Sequence, residues 1–340
     1  MTALFARRGL ALLTIGLLAG CNTVVMNPSG DIAAQQSHLI WVSTLLMLLI
    51  IVPVILLTIF FAWKYRQSNT SAPYEPDWDH STQLELVIWG APLLIIIALG
   101  LITWISTHTL DPYRKLSRLD ENRPVTAETK TLNVEVVALD WKWLFIYPDL
   151  GIATVNELAA PVDMPIRFKI TASSVMNSFY IPALAGQIYA MPGMETTLHA
   201  VINKPGEFEG FSANYSGAGF SDMHFKFHGL SNEKFDQWVA LNKASTTTLN
   251  RTGYLDLEKP SIRDAVRRYG KVDADLYHAI VNRCVDGNQI CMDKMMTMNA
   301  RANANFSNMY ASNSKQNTMA RFSAETDAEV CSATAFNIGK

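Results

Sequence analysis

The sequence of 340 residues predicts a membrane-anchored all-β protein, with two transmembrane helices in a hairpin, a β-sandwich and a short C-terminal helical extension. Two uncharged apolar runs, residues 39–63 and 86–110, are each long enough to cross a bilayer. Short stretches of alternating apolar and polar residues begin after residue 130, and helical spacing replaces them after residue 231. The formal net charge of −2 gives no indication of nucleic-acid binding.

Residues 1–20 are predicted to be a lipoprotein signal peptide. Arg7 and Arg8 precede a short apolar stretch, residues 9–18, as in a secretory signal. Leu-Ala-Gly-Cys follows, which is typical of a bacterial lipoprotein box, so Cys21 is the predicted mature N-terminus and the site of lipidation, with palmitate among its acyl chains. The alternative, a transmembrane helix with an incidental cysteine, is disfavoured because the stretch is too short to span a bilayer.

Residues 21–110 are expected to form a lipidated N-terminus and two transmembrane helices, over about residues 39–63 and 86–108. A buried core helix is the other interpretation of such runs, and their length argues against it. Tryptophan residues near the ends of both runs are typical of the membrane interface. The positions are Trp41, Trp63 and Trp104.

The lipid anchor also predicts the topology. A lipidated Cys21 lies outside the cytoplasm, so the first helix runs inward and the loop 64–85 is cytoplasmic. The second helix returns, which places residues 111–340 outside. We therefore expect a multi-pass protein of the bacterial inner membrane, with an N-terminal lipid anchor and a periplasmic C-terminal domain.

The external part begins with a polar linker, residues 111–129, and continues with the predicted sandwich, residues 130–230. Residues 132–137, 166–171 and 224–228 alternate in the way that half-buried strands do. Pro-Gly pairs separate several of these stretches and predict turns. Short strands at this spacing favour a sandwich or a barrel.

The predicted helical extension covers residues 231–298. Phe235, Trp238 and Val239 have helical spacing, and Ser261-x-x-Asp264 resembles a capping box that predicts a helix ending at Gly270. Asp273 is predicted to cap a further helix that carries apolar residues as far as Cys284. Residues 299–340 are rich in Asn, Ser, Ala and Thr, so we expect them to be poorly ordered.

Three stretches resemble subunit II of the haem–copper respiratory oxidases, and most of all its ubiquinol oxidase branch of the cytochrome bo type. They are VVALDWKWLFIYP (136–148), NSFYIPALAGQIYAMPGM (177–194) and NYSGAGFSDMHFKF (214–227). The resemblance covers roughly residues 15–285 and implies a cupredoxin fold for the sandwich.

The same resemblance identifies a copper loop whose ligands are lost. Copper-bearing members of the family carry C-x-E-x-C-x3-H-x2-M here and one more histidine upstream. The matching positions are Asn177, Ser212, Asn214, Ser216, Phe220 and Met223. A dinuclear copper centre needs bridging thiolates and imidazoles, which serine and phenylalanine do not supply. We therefore predict no metal site and no catalytic residue in this chain.

The resemblance implies a non-catalytic subunit of a proton-pumping terminal oxidase that oxidises ubiquinol and reduces O2 to water. Haem b, haem o and a copper ion are then expected in subunit I, and none of them in this chain. The implied partners are subunit I, further small membrane subunits, the lipid bilayer and ubiquinol bound by the complex. Cytochrome c is not an expected partner.

Two other functions remain for comparison. A cytochrome c oxidase subunit is disfavoured by the missing ligands. A free-standing lipoprotein for copper handling or oxidase assembly is the alternative from another class, because thioethers bind Cu(I). Four methionines supply them, Met292, Met295, Met296 and Met298. A helix face that packs on the sandwich is the other interpretation of this cluster.

Glu85 and the cysteines complete the set of candidate residues. The resemblance implies that Glu85 lies at the cytoplasmic mouth of a proton channel of subunit I, whereas an interfacial charge favoured by the helix dipole is the other interpretation. Cys284, Cys291 and Cys331 lie in the oxidising compartment, where three pairings are open. The Asp286-Gly287 turn favours Cys284 with Cys291.

Overall fold

The structure is a computed structural model that describes residues 23–73 and 75–304. The predicted signal peptide, the lipidation site Cys21 and Cys331 lie outside the described residues. The chain divides into two compact units, the first ending at Tyr277 and the second beginning at His278.

Two long helices carry the apolar runs of the sequence. Helix α1 spans Asp31–Lys64 and α2 spans Thr82–Thr109, and both are long and apolar enough to cross a membrane. The most apolar part of each helix is exposed along its length, which suits contact with lipid or with other membrane helices. Helix α1 begins eight residues before the predicted span, and Asp31, Ala33 and Ser37 in its first turns are buried.

The predicted linker contains a two-stranded hairpin of β1 (Arg118–Asp120) and β2 (Arg123–Pro124). The sandwich follows. Its first sheet has the order β10-β7-β3-β4-β5-β14, with β3 (Leu132–Leu139), β4 (Lys142–Tyr147), β5 (Ile152–Val155), β7 (Ile166–Ala172), β10 (Thr196–Ala200) and β14 (Arg267–Tyr269). Its second sheet has the order β6-β12-β11-β8-β9, with β6 (Glu157–Pro161), β8 (Asn177–Tyr180), β9 (Ile188–Ala190), β11 (Gly206–Ser212) and β12 (His224–Leu230).

The core lies between the two sheets and is rich in aromatic rings. The predicted alternation in β3 and β7 is confirmed, because their buried residues pair in parallel register across the first sheet. Phe179 and Phe225 of the second sheet stack with ring centroids 5.5 Å apart. Trp143 of the first sheet meets both rings edge-on, at 5.4 and 5.8 Å. These rings join the sheets through large buried apolar surfaces.

The extension after the sandwich is only partly helical. Helix α3 (Asn232–Lys243) forms as predicted, with the Ser231 hydroxyl accepting a hydrogen bond from the Lys234 amide. Helix α4 (Arg251–Glu258) was not predicted. Strand β13 (Thr248–Leu249), just before α4, pairs in parallel with β15 (Lys271–Val272), which follows β14.

The predicted helix from Ser261 to Gly270 is wrong. The Ser261 hydroxyl donates to the Asp264 side chain at 3.0 Å and accepts a hydrogen bond from Lys142 Nζ at 2.6 Å, instead of capping a backbone amide. Strand β14 occupies this part of the chain and pairs antiparallel with β5 at the edge of the first sheet. Pairing with a distant strand thus overrides the local capping signal.

The last described segment contains a short helix, a disulfide and a longer helix. Helix α5 (Leu276–Val281) follows Asp273 as predicted, and a disulfide joins Cys284 and Cys291, the pairing preferred from the sequence. A helix over residues 292–304 comes next, so the expectation of poor order is wrong for residues 299–304, and the rest of the predicted tail lies outside the described residues. All four methionines of the cluster lie on this helix: Met292, Met295, Met296 and Met298.

Candidate functional site

The six positions that match the copper loop lie together at one end of the second sheet. Five of them belong to the connection from the end of β11 at Ser212 to the start of β12, which includes a single 3₁₀ turn, Phe220–Asp222. Asn177 begins the neighbouring strand β8. The Ser212 amide donates to the Met223 carbonyl at 3.2 Å, which closes the connection at its base.

Ser212 and Asn177 form a buried polar pair. Their side chains are almost fully buried, and the Ser212 hydroxyl lies 3.1 Å from Asn177 Oδ1 and 3.2 Å from the Asn214 carbonyl. The Asn177 amide group donates to the Val175 carbonyl at 3.1 Å. Buried polar groups of this kind are stable when they hydrogen-bond to each other, so the pair closes the site without a ligand.

Trp141 packs against the middle of the loop. Its indole nitrogen donates to the Ser216 carbonyl at 3.0 Å. A Cβ added at Gly219 would lie 2.6 Å from the indole ring, and Gly217 has a φ of +113°, a conformation open chiefly to glycine. The two glycines therefore permit the ring to lie on the loop backbone.

The remaining two positions are apolar. Phe220 packs edge-on against Tyr215 with ring centroids 5.6 Å apart, and Met223 is 1% exposed. The donor set of the site is thus two hydroxyls, two amides and a buried thioether, with no thiolate and no imidazole. These residues do not fit a copper centre. Within the described ranges, no group of three or more His, Cys, Asp or Glu is placed to hold a metal ion.

Removal of the Ser212 hydroxyl is expected to cost stability. In Ser212→Ala the buried Asn177 oxygen loses its donor, so we expect the free energy of unfolding to fall by about 1–2 kcal/mol. The purified full chain in detergent can be followed by tryptophan fluorescence during denaturation. The control is Ser221→Ala, an exposed serine of the same loop, which is expected to change little. Equal effects of the two variants would contradict the role of the pair.

Glu85 lies far from this loop, in the first turn of α2. It is 24 residues from Thr109 at the other end of the helix, or about 36 Å along the axis. His80 Nδ1 lies 2.8 Å from Glu85 Oε1, and both side chains are at least half exposed. The sequence interpretation did not include His80, although its position five residues before Glu85 in a loop made the contact possible.

A second set of charged residues was missed at the sandwich end of the helices. The Asp31 carboxylate, 6% exposed, accepts hydrogen bonds from Arg118 Nε at 3.1 Å and Gln35 Nε2 at 2.7 Å. Asp31 and Arg118 are 87 positions apart in the chain. No local pattern in the sequence indicates such a pair.

Comparison with known proteins decides the family. Cytochrome bo(3) ubiquinol oxidase subunit 2 of Pseudomonas putida is 51% identical over 267 residues, which cover 78% of this chain and 82% of the relative. The chain belongs to the ubiquinol oxidase subunit 2 family. The Pseudomonas aeruginosa protein of the same name is 48% identical over 82% of this chain and 81% of its own length. Ubiquinol oxidase subunit 2 of Acetobacter aceti is 49% identical over 82% of this chain and 87% of its own length.

Two family models match parts of the chain. The periplasmic domain of cytochrome c oxidase subunit II matches residues 147–229, and the COX aromatic rich motif matches residues 243–288. The resemblance drawn from the three sequence stretches is confirmed. So is the fold class, since two candidate membrane helices precede a cupredoxin-like sandwich with helices after it. The aromatic rich motif includes α4, β14 and α5.

Proposed function

We propose that this chain is subunit II of a membrane-bound terminal oxidase that oxidises ubiquinol, and that it contains no redox centre of its own. The observation that carries this proposal is the closed Ser212–Asn177 pair at the positions where copper-bearing members have a cysteine and a histidine. A site without thiolate or imidazole accepts no electron from cytochrome c. Electrons then enter the complex elsewhere, from quinol at the haem-bearing subunit I.

The role left to the chain is structural. Helices α1 and α2 leave their apolar surfaces uncovered by the rest of the described chain, and such surfaces in a membrane protein pack against partner helices as well as lipid. We infer that subunit I is this partner and that further small subunits join the complex. Haem b, haem o and a copper ion belong to subunit I in this proposal.

The location follows from the same features. The two helices suit the bacterial inner membrane, and the match to a periplasmic domain supports a sandwich on the outer side. We include a lipid anchor at Cys21 in the proposal, on the basis of the lipoprotein box in the sequence. Residue 21 lies outside the described residues. The curated relatives are oxidase subunits and give no support to a free-standing copper-handling lipoprotein.

Purification of the tagged chain from its native membrane tests the proposed function. We expect it to bring down polypeptides that carry b- and o-type haem, together with ubiquinol oxidase activity. The same preparation should contain no copper bound to this chain when the chain is separated from its partners. A chain that arrives alone and carries copper would refute the proposal in favour of the copper-handling lipoprotein.

We also propose that Glu85 serves the entry of protons from the cytoplasm. Its support is the resemblance to the family together with the position of Glu85, half exposed where the cytoplasmic loop meets α2. The neighbouring His80 is a second titratable group within hydrogen-bond distance, at 2.8 Å. Carboxylates at membrane entry points commonly serve proton paths.

Replacement of Glu85 in the assembled oxidase tests this role. Glu85→Gln keeps the size of the side chain and removes its proton exchange, so we expect turnover to fall a few-fold while haem content stays unchanged. Glu75→Gln, in the same cytoplasmic loop and also exposed, is the matched control and should leave turnover unchanged. Wild-type turnover in Glu85→Gln would contradict a role in proton entry and would leave the interpretation of Glu85 as an interfacial charge.

A further inference from the structure

A cavity of about 730 Å³ opens where the sandwich ends of α1 and α2 meet the β1–β2 hairpin. Its lining changes along its length. Apolar side chains from both helices line one end, among them Val42, Ile102 and Ile105. Charged side chains line the other end, among them Arg118, Glu121 and Lys204. Neither the copper loop nor Glu85 takes part in it.

The apolar end lies beside the part of the membrane-spanning runs nearest the sandwich. Val42 is three residues inside the run 39–63, about 5 Å along α1, and Ile102 is eight residues inside the run 86–110, about 12 Å along α2. The hydrocarbon core of a bilayer is roughly 30 Å thick, so these depths lie within one leaflet. The charged end is then at the level of the lipid headgroups on the sandwich side.

The charged end is formed before any ligand binds. Asp31 holds Arg118 at the mouth through the 3.1 Å hydrogen bond to Nε, and Gln35 supports the same carboxylate. Asn203 donates to the Leu119 carbonyl at 2.9 Å, which fixes the hairpin against the loop after β10. Sites that bind small molecules are usually preformed in this way.

The charges at the mouth match a zwitterion. The terminal nitrogens of Arg118 make no hydrogen bond within the described part of the chain, and Lys204 Nζ uses one of its donors on the Pro28 carbonyl at 3.0 Å. Among the carboxylates, Asp31 is bound to Arg118, and Asp120 is bound to Arg123 at 2.6 Å. Glu121 is exposed.

We propose that this cavity binds one phosphatidylethanolamine molecule from the outer leaflet. An acyl chain lies along the apolar wall of α1 and α2. The phosphodiester accepts hydrogen bonds from Arg118 and Lys204, and the ammonium group faces Glu121. An anionic lipid fits less well, because Asp31 and Glu121 already balance the charges of Arg118 and Lys204, and Asp120 is balanced by Arg123.

Titration of the delipidated complex tests the proposal. The probe is short-chain phosphatidylethanolamine, and native mass spectrometry counts lipid per copy of this chain, with or without other subunits attached. Ser106→Trp fills the apolar end and should abolish binding, whereas Thr107→Trp, exposed on the opposite face of the same helix, should not. Lys204→Gln should weaken binding about tenfold, the order expected for one charge-assisted hydrogen bond. Its control is Lys130→Gln, an exposed lysine away from the cavity.

Three results would overturn the proposal. The first is a wild-type chain that binds no phosphatidylethanolamine, which would leave the cavity to a partner helix. The second is equal binding in wild type, Ser106→Trp and Lys204→Gln. The third is equally tight binding of phosphatidylglycerol with the same chains, which would remove the role of Glu121. None of these results bears on whether the chain co-purifies with haem, so the proposed function is tested separately.

Discussion

Arg268→Ala is expected to lower the free energy of unfolding by about 3 kcal/mol, because it leaves a largely buried carboxylate without its main partner. The carboxylate is Glu157, 8% exposed, and Arg268 binds both of its oxygens at 2.9–3.0 Å. Arg268 lies on β14 in the first sheet and Glu157 lies on β6 in the second. The pair therefore ties the aromatic rich extension to the opposite sheet.

A double-mutant cycle separates this pair from ordinary surface charges. Glu157→Gln combined with Arg268→Ala should be more stable than Arg268→Ala alone, because no buried charge is then left unpaired. Arg263→Ala is the control. It breaks an exposed ion pair with Asp222, and such pairs contribute about 0–1 kcal/mol. Denaturation of the full chain in detergent, followed by tryptophan fluorescence, gives the values for wild type, both single variants, the double variant and the control, and additive effects of the two substitutions would contradict the coupling.

The same pair predicts an acid-dependent loss of stability. Burial raises the pKa of Glu157, but the His228 ring, 3.6 Å away, and the hydrogen bonds from Arg268 outweigh it, so the pKa in the folded chain lies below its usual value of 4.5. A lowered folded pKa means that the stabilisation is complete above about pH 4.5 and is lost as pH falls through the folded value. Unfolding curves measured between about pH 7 and pH 3 should show the free energy of unfolding fall in wild type and fall less in Arg268→Ala. An unchanged slope in the variant would assign the acid sensitivity to other groups.

Gly210→Ala is expected to destabilise the sandwich by about 3 kcal/mol through overpacking of the aromatic core. Gly210 on β11 stands directly opposite Phe225 on β12, and a Cβ added to it would lie 2.0 Å from the Phe225 ring. The ring cannot move away easily, since it stacks on Phe179 and meets Trp143 edge-on. An aromatic ring that covers a cross-strand glycine is a known way to stabilise such a position in a sheet.

A second glycine on the same strand is the matched control. A Cβ added at Gly206 would lie 3.2 Å from the tip of the partly buried Phe208 ring, which a small shift relieves. Gly206→Ala should therefore cost less than about 1 kcal/mol in the same fluorescence measurement. Similar losses for the two variants would show that backbone flexibility, and not contact with Phe225, dominates at Gly210.

Patterns within single segments predicted much of the fold. The uncharged runs predicted α1 and α2, and alternation predicted β3 and β7, because membrane crossing and sheet faces depend on residues close in the chain. The loss of the copper ligands was also predictable, because it depends only on which residue type stands at each matching position. The Asp286-Gly287 turn favoured the disulfide that the structure contains.

The segment after Ser261 shows why other parts were not predictable. Lys142 is buried, and its ammonium group donates to the Ser261 hydroxyl at 2.6 Å and to the Lys259 carbonyl at 2.8 Å. Those bonds hold the segment beside the first sheet, where Arg267–Tyr269 becomes β14. Lys142 is 119 positions from Ser261, so no local capping rule includes it.

The sequence by itself determined the membrane helices, the sandwich class and the absence of copper ligands, because each depends on composition or on neighbouring residues. Only the tertiary structure decided how the loop 212–223 closes through Ser212 and Asn177, which are 35 positions apart. It also decided the Asp31–Arg118 pair at the mouth of the lipid cavity. The physical reason is common to both: buried polar groups must find partners, and in these cases the partners come from distant segments that folding brings together.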